Sequence, residues 1–251
     1  MTASTMKNKL GKITLAIFVA LLWISVWYIT ALLINKPLIL PNPYETAIAL
    51  FELLGKGEFY KVVFFTMLRV LLGLILGIVT GISLALICHK FSAIKLIFSP
   101  LISVIRSTPV ASYIVLLWVM LDGGLLSIVV AFLMVMPVVW QNTLDGFSSI
   151  PKELLEVADV YEISPRRRYE ILVMPVLFNY IFPAIITSVG LAWKSEVAAE
   201  IIAYTKDSIG MHINDAKLSW NIPTVFAWTA IIIVMSIFLE ALTNRLLRRT
   251  K

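Results

Sequence analysis

Of the 251 residues, 60% are hydrophobic and 14% charged, with a mean hydropathy of +0.93. Soluble domains carry about 45–50% apolar and about 25% charged residues, so this composition excludes a soluble globular protein and points to one helical membrane domain. The net charge of +6 comes from basic residues lying mainly beside apolar runs, a pattern of membrane topology rather than of nucleic-acid binding.

The chain begins MTASTMKNKLGK, followed by an apolar run from Ile13 to Ile34. That run exceeds the about 7–15 residues of a secretory signal, and no small-x-small cleavage site follows it. It is expected to be a retained first membrane helix. Asn35–Tyr60 carries turn chemistry at Lys36-Pro37 and at Pro41-Asn42-Pro43. Further spans are expected at 66–88, 96–121, 124–141, 172–193 and 224–243, each near the roughly 20 residues that cross a bilayer core. The organisation is thus a first helix and outer linker over 1–60, a transmembrane domain over 61–245 and a basic cytoplasmic tail over 246–251.

In the second span, Gly73, Gly77, Gly81 and Ala85 recur every four residues. Such a stripe lets a second helix approach closely, either within the chain or at a seam between two copies. Cys88, at the end of this run and the single cysteine, reads as a small packing residue. The third span contains Pro100 and Pro109, so a broken helix is expected there. A break at membrane depth survives only against protein or a water-filled cavity, which makes this span a candidate wall of a path.

With six crossings and the N-terminus inside, thirteen basic residues face the cytoplasm: Lys7, Lys9, Lys12, Lys90, Lys95, Lys152, Arg166, Arg167, Arg168, Arg245, Arg248, Arg249 and Lys251. Six face outward: Lys36, Lys56, Lys61, Lys194, Lys206 and Lys217. That asymmetry places both termini in the cytoplasm of a multi-pass cell-membrane protein.

Residues 151–175, PKELLEVADVYEISPRRRYEILVMP, then form a polar cytoplasmic segment. Pro151 suits a first helical turn, with Ser148 or Ser149 near enough to cap it. Leu154, Ala158 and Tyr161 share one face, while Glu153, Glu156, Asp159 and Glu162 spread acid around another. Ser164-Pro165 starts a second helix ahead of Arg166–Arg168. The apolar face has two possible sinks, a groove on a partner protein or this chain's own helix ends; anionic lipid would oppose the acids.

This segment resembles the EAA loop, E-A-A-x3-G-x9-I-x-L-P, of permease subunits in type I ABC importers. Glu156, Val157 and Ala158 stand for E-A-A, Glu162 for the glycine, Leu172 for the isoleucine and Met174-Pro175 for L-P. Glu162 departs from the pattern, which implies a turn that needs no positive φ or one made by Ser164-Pro165. LPNPYET, LRVLLGLILGIVTGISLAL, LISVIRSTPVA and GLAWKSEVAAE extend the resemblance, in order, to the nitrate/sulfonate/taurine class. The resemblance implies an all-α membrane fold of about six helices, with the loop coupling to a cytoplasmic ATPase through Glu156, Val157, Ala158, Glu162 and Pro175 and a docking face including Leu154 and Tyr161. It also implies a second permease copy, most simply an identical one, and an extracytoplasmic solute-binding protein. The cargo would be a sulfonate, taurine, nitrate or a similar small molecule or vitamin precursor. The chain has no G-x-x-x-x-G-K-[ST] loop, so ATP and Mg would sit on the partner, and no cofactor is expected here.

Ionisable groups in spans default to functional roles. Arg106, with Ser107 and Thr108, could meet an oxyanion, satisfy freed carbonyls or form a gate pair. Lys194 could pair with Glu196, attract an anion, or anchor the interface with Glu200 beside Trp193. Glu240 could pair with Arg245 or Asn244. His89 and His212 have no ligand neighbours at usable spacing, so no metal site is expected, and no nucleophile–base pair suggests an enzyme. An autonomous secondary transporter or channel without an ATPase would need paired inverted repeats, and the sequence shows none. A membrane assembly protein would need neither the broken span nor Arg106.

Overall fold

A computed structural model describes residues 3–248, excluding the side chains of residues 3–13, Ala16 and Arg248. The basic residues Lys7, Lys9, Lys12, Arg248, Arg249 and Lys251 therefore lie wholly or by their side chains outside the described residues, as does the end of the 246–251 tail.

Turn residues and prolines divide the chain into helices, with no strand among the described residues. These are α1 (Ala3–Ile34), α2 (Pro43–Leu54), α3 (Gly57–Lys90), α4 (Ser92–Ser107), α5 (Val110–Trp118), α6 (Gly123–Ser148), α7 (Lys152–Val160) and α8 (Pro165–Arg168). A π-helical turn, Tyr169–Val173, leads into α9 (Met174–Ala203), followed by α10 (Ile209–Leu218) and α11 (Ile222–Arg248). Among the described residues five helices are long and apolar enough to cross a membrane, or six if the bent α4–α5 pair is one span. Pro109 marks that bend, which measures 99°, whereas Pro100 sits inside α4 without ending it. The expected fifth span, 172–193, instead runs on through Ala203. Lys194 and Glu196 therefore lie within a helix, because the polar residues after Trp193 interrupt hydropathy but not helix propensity.

The chain forms two compact units. In the unit comprising the chain up to Phe59 with His212–Ile231, Asn42 and Glu45 form a reciprocal capping box that starts α2. Trp27 stacks on Phe226 and donates to the Pro41 carbonyl at 3.0 Å. Phe59, Trp228 and His212 form a ring stack, with centroid separations of 5.5 and 5.4 Å.

In the other unit, from Tyr60 to Met211 and from Ile232 onward, α6 packs along α9 over much of its length. The glycine stripe of α3 meets α6 of the same chain. A Cβ on Gly73 would lie 2.6 Å from Ala131 Cβ, one on Gly77 2.7 Å from Val135 Cβ, and one on Gly81 2.9 Å from the Met136 carbonyl. Ala85 and Cys88 continue this contact into a buried cluster with Ile102, Met136, Trp140 and Leu144. Gly77→Val is expected to cost about 1–3 kcal/mol by overpacking and to lower the melting temperature of the purified protein. Gly57→Ala, where nothing lies within 4 Å of the added carbon, is the comparison. Equal melts for the two variants would contradict this packing.

Candidate coupling loop and translocation path

Pro151 precedes α7, which has no side-chain cap. The expected capping serines bond backward along α6, Ser148 to the Leu144 carbonyl and Ser149 to that of Gly146. Helix α7 then divides its apolar residues between two sides. Ala158 is buried and Leu155 half-buried, whereas Leu154, Val157, Val160 and Tyr161 are exposed, Val160 by 80% and Tyr161 by 76%. The expected face of Leu154, Ala158 and Tyr161 is thus split: Ala158 holds α7 to its own chain, and the outer face gains Val157 and Val160. Glu156 is exposed.

Beyond α7, Ile163 N donates to the Ala158 carbonyl at 2.9 Å and Glu162 N to that of Asp159 at 3.0 Å. The six-to-one bond closes a Schellman turn, and Glu162 occupies its left-handed position with φ 52°. This corrects the expectation that the turn avoids positive φ or is made by Ser164-Pro165; it requires the very conformation that favours glycine, and glutamate adopts it. Such a conformation costs a side-chain-bearing residue about 1–2 kcal/mol. Glu162→Gly is therefore expected to stabilise the turn by about 1 kcal/mol, roughly fivefold in local opening. Hydrogen exchange at Glu162 and Ile163 reads this directly, and unchanged or faster exchange would refute it. Beyond the turn, Arg168 pairs with Asp159, and Arg166 with Glu170 at 3.2 Å. Pro175 lies in the first turn of α9.

Arg106 is exposed at the end of α4 and lines a cleft of about 140 Å³ with Leu133, Pro137 and Leu191. Pro137, in the same wall, cannot donate to the Leu133 carbonyl. Arg106 Nη1 lies 3.5 Å from Gln141 Oε1, and Gln141 Nε2 donates to Asp145 Oδ1 at 2.8 Å. Ser107 and Thr108 direct their hydroxyl hydrogens to the Val104 carbonyl, at 3.1 and 2.8 Å, and so build the elbow itself. Gln141 and Asp145 were not singled out by the sequence, since hydropathy ended that span at Gln141.

Lys194 is exposed, and among the described residues it has no ion pair with Glu196. Trp193 is buried and donates to the Ile232 carbonyl at 3.0 Å. It is therefore a packing residue and not part of an interfacial belt. Glu196 is fully buried, and among the described residues neither carboxyl oxygen has a hydrogen-bond partner.

Glu200, one turn on and also fully buried, accepts from Arg69 Nη1 at 2.9 Å, from the Thr66 hydroxyl at 2.9 Å and from Gly210 N at 3.3 Å. Arg69 also donates to the Lys206 and Asp207 carbonyls. Together these bonds tie α3, α9 and the following loop into one polar staple. Glu240 lies against Gly190, and among the described residues it forms no ion pair with Arg245; Asn244 bonds its backbone carbonyl.

The chain belongs to the family of binding-protein-dependent transport system inner membrane components, whose model matches residues 73–251. It is a multi-pass membrane protein, the permease subunit of an ABC importer for small solutes. It is similar to the taurine transport system permease protein TauC of Escherichia coli, with 24% identity over 95% of this chain and 89% of that protein. It is also similar to the bicarbonate transport system permease protein CmpB of Synechocystis sp., at 26% identity over 65% of this chain and 58% of that one. In fold it resembles a crystal structure of an amino acid ABC transporter with histidines, at TM-score 0.63 and 17% identity, covering 76% of this chain and 93% of the other.

Proposed function

We propose that this permease imports a small oxyanion, driven by a cytoplasmic ATPase that docks on the outer face of α7. The observation carrying the reading is the split of that helix. Ala158 is buried against the chain, while Leu154, Val157, Val160 and Tyr161 present an apolar strip beside Glu156 with no covering segment among the described residues. Amphipathic helices of this kind seat in grooves of partner proteins. ATP and Mg belong to that partner. Residues 61–245 form the transmembrane domain, and both termini are cytoplasmic, as the triple arginine beside α7 supports.

A second, identical permease and an extracytoplasmic binding protein complete the assembly. Arg106 carries the solute reading. It is an exposed guanidinium on a cleft wall at a broken span, suited to a planar or tetrahedral oxyanion such as a sulfonate, taurine, nitrate or bicarbonate. Lys194 is exposed on α9 and is the second candidate cation of the path. The test is purification in mild detergent with mass-spectrometric identification of every retained protein. An ATP-binding subunit at about one per permease is expected; a preparation without any nucleotide-binding protein would overturn the reading.

A further inference from the structure

The inner side of α7 faces a cleft that coupling to an ATPase does not use. It has a volume of about 470 Å³, ample for a lipid headgroup and the first part of a chain. Its walls come from the ends of two spans and from the loop: Leu86 of α3, Phe147 of α6, Leu155 of α7 and Val173 of the π-helical turn. Its polar members are Lys152, His89, Ser148 and Tyr169, and the His89 ring stacks on Phe147 at a centroid distance of 3.9 Å.

We propose that this cleft binds one anionic phospholipid of the cytoplasmic leaflet, with an acyl chain against Leu86, Phe147 and Leu155 and the phosphate on Lys152. Three observations favour that occupant. Leu86 lies near the end of a helix long and apolar enough to cross a membrane, which in the proposed orientation sets the cleft at the cytoplasmic edge of the bilayer. Lys152 is its charged residue, with no carboxylate among the lining residues. Of the loop's acids, Asp159 and Glu170 are paired with Arg168 and Arg166, and the exposed Glu153, Glu156 and Glu162 are not among the lining residues, while Lys152 and Arg167 have no ion pair among the described residues. Basic pockets between helix ends on this side of a membrane suit anionic headgroups. A lipid seated here would bridge α3 and α6 to the base of α7 and would brace the loop from the side opposite the ATPase.

The inference rests on the proposed orientation, which puts α7 at the cytoplasmic leaflet. Its test counts lipids on the permease whether or not an ATPase co-purifies, so the two readings fail separately. The purified protein in nanodiscs containing equal phosphatidylglycerol and phosphatidylcholine is released and weighed by native mass spectrometry. Preferential retention of phosphatidylglycerol is expected, falling about tenfold or more in Lys152→Glu and retained in Lys152→Arg; Leu155→Trp, which fills the cleft, should also displace it. Equal retention of the two lipids, retention unchanged in Lys152→Glu, or inorganic phosphate in place of lipid would overturn the proposal.

Discussion

Arg69→Met is expected to destabilise the purified permease by about 3–5 kcal/mol, the range for breaking one side of a buried ion pair. The Arg69 side chain is 14% exposed and that of Glu200 0%. Removal of the guanidinium leaves a carboxylate that accepts from the Thr66 hydroxyl and the Gly210 amide but has lost its countercharge. It also releases the Lys206 and Asp207 carbonyls. The double variant Arg69→Met/Glu200→Gln is expected to recover half or more of the loss, because a neutral pair carries no uncompensated charge. Thermal melts followed by size-exclusion fluorescence separate the cases. A single variant that melts with the parent, or a double variant no better than the single, would show that the staple does not hold these helices together. The exposed Lys61–Asp207 pair on the same loop, at 2.9 Å, should contribute about 1 kcal/mol or less.

The second large effect falls on docking. Val160→Asp places a charge in the middle of the exposed strip on α7. At 80% exposure the substitution should change folding stability by no more than about 0.5 kcal/mol. In a covered interface the same carboxylate costs about 2 kcal/mol or more, roughly thirtyfold in affinity. Co-purification of the ATPase should therefore be lost while the yield and melting of the permease stay unchanged, and Glu156→Lys should act in the same direction. Undiminished ATPase retention in both variants would remove α7 as the docking element.

Much of the architecture was legible because bilayer thickness imposes long apolar runs. The broken third span followed from Pro109, and a close helix approach along α3 from glycines spaced at one helical turn, though not which helix, of this chain or a second copy, would make it. The fifth helix runs past its expected end because Lys194 and Glu196 lower hydropathy without breaking a helix, and the burial of Glu196 depends on neighbours remote in sequence. For the same reason Arg69 gave no local sign of its partner 131 positions away. The capping box of α2 was written in Asn42-Pro43-Tyr44-Glu45 and could have been read. The loop's second face could not, since periodicity alone does not say which of two apolar stripes meets the chain's own core. The π-helical turn at Tyr169–Val173 left no signal in composition.

The left-handed positions bear on mechanics. Among the described residues they are taken by Asn35, Glu162, Tyr204, Asp207 and Trp220, and no glycine has positive φ. A residue with a side chain has far fewer backbone states than glycine, so the corner after α7 is a stiff elbow rather than a compliant joint. A load applied to that helix is passed along α8 to α9 with little slack, and a displacement of one end becomes a displacement of the other.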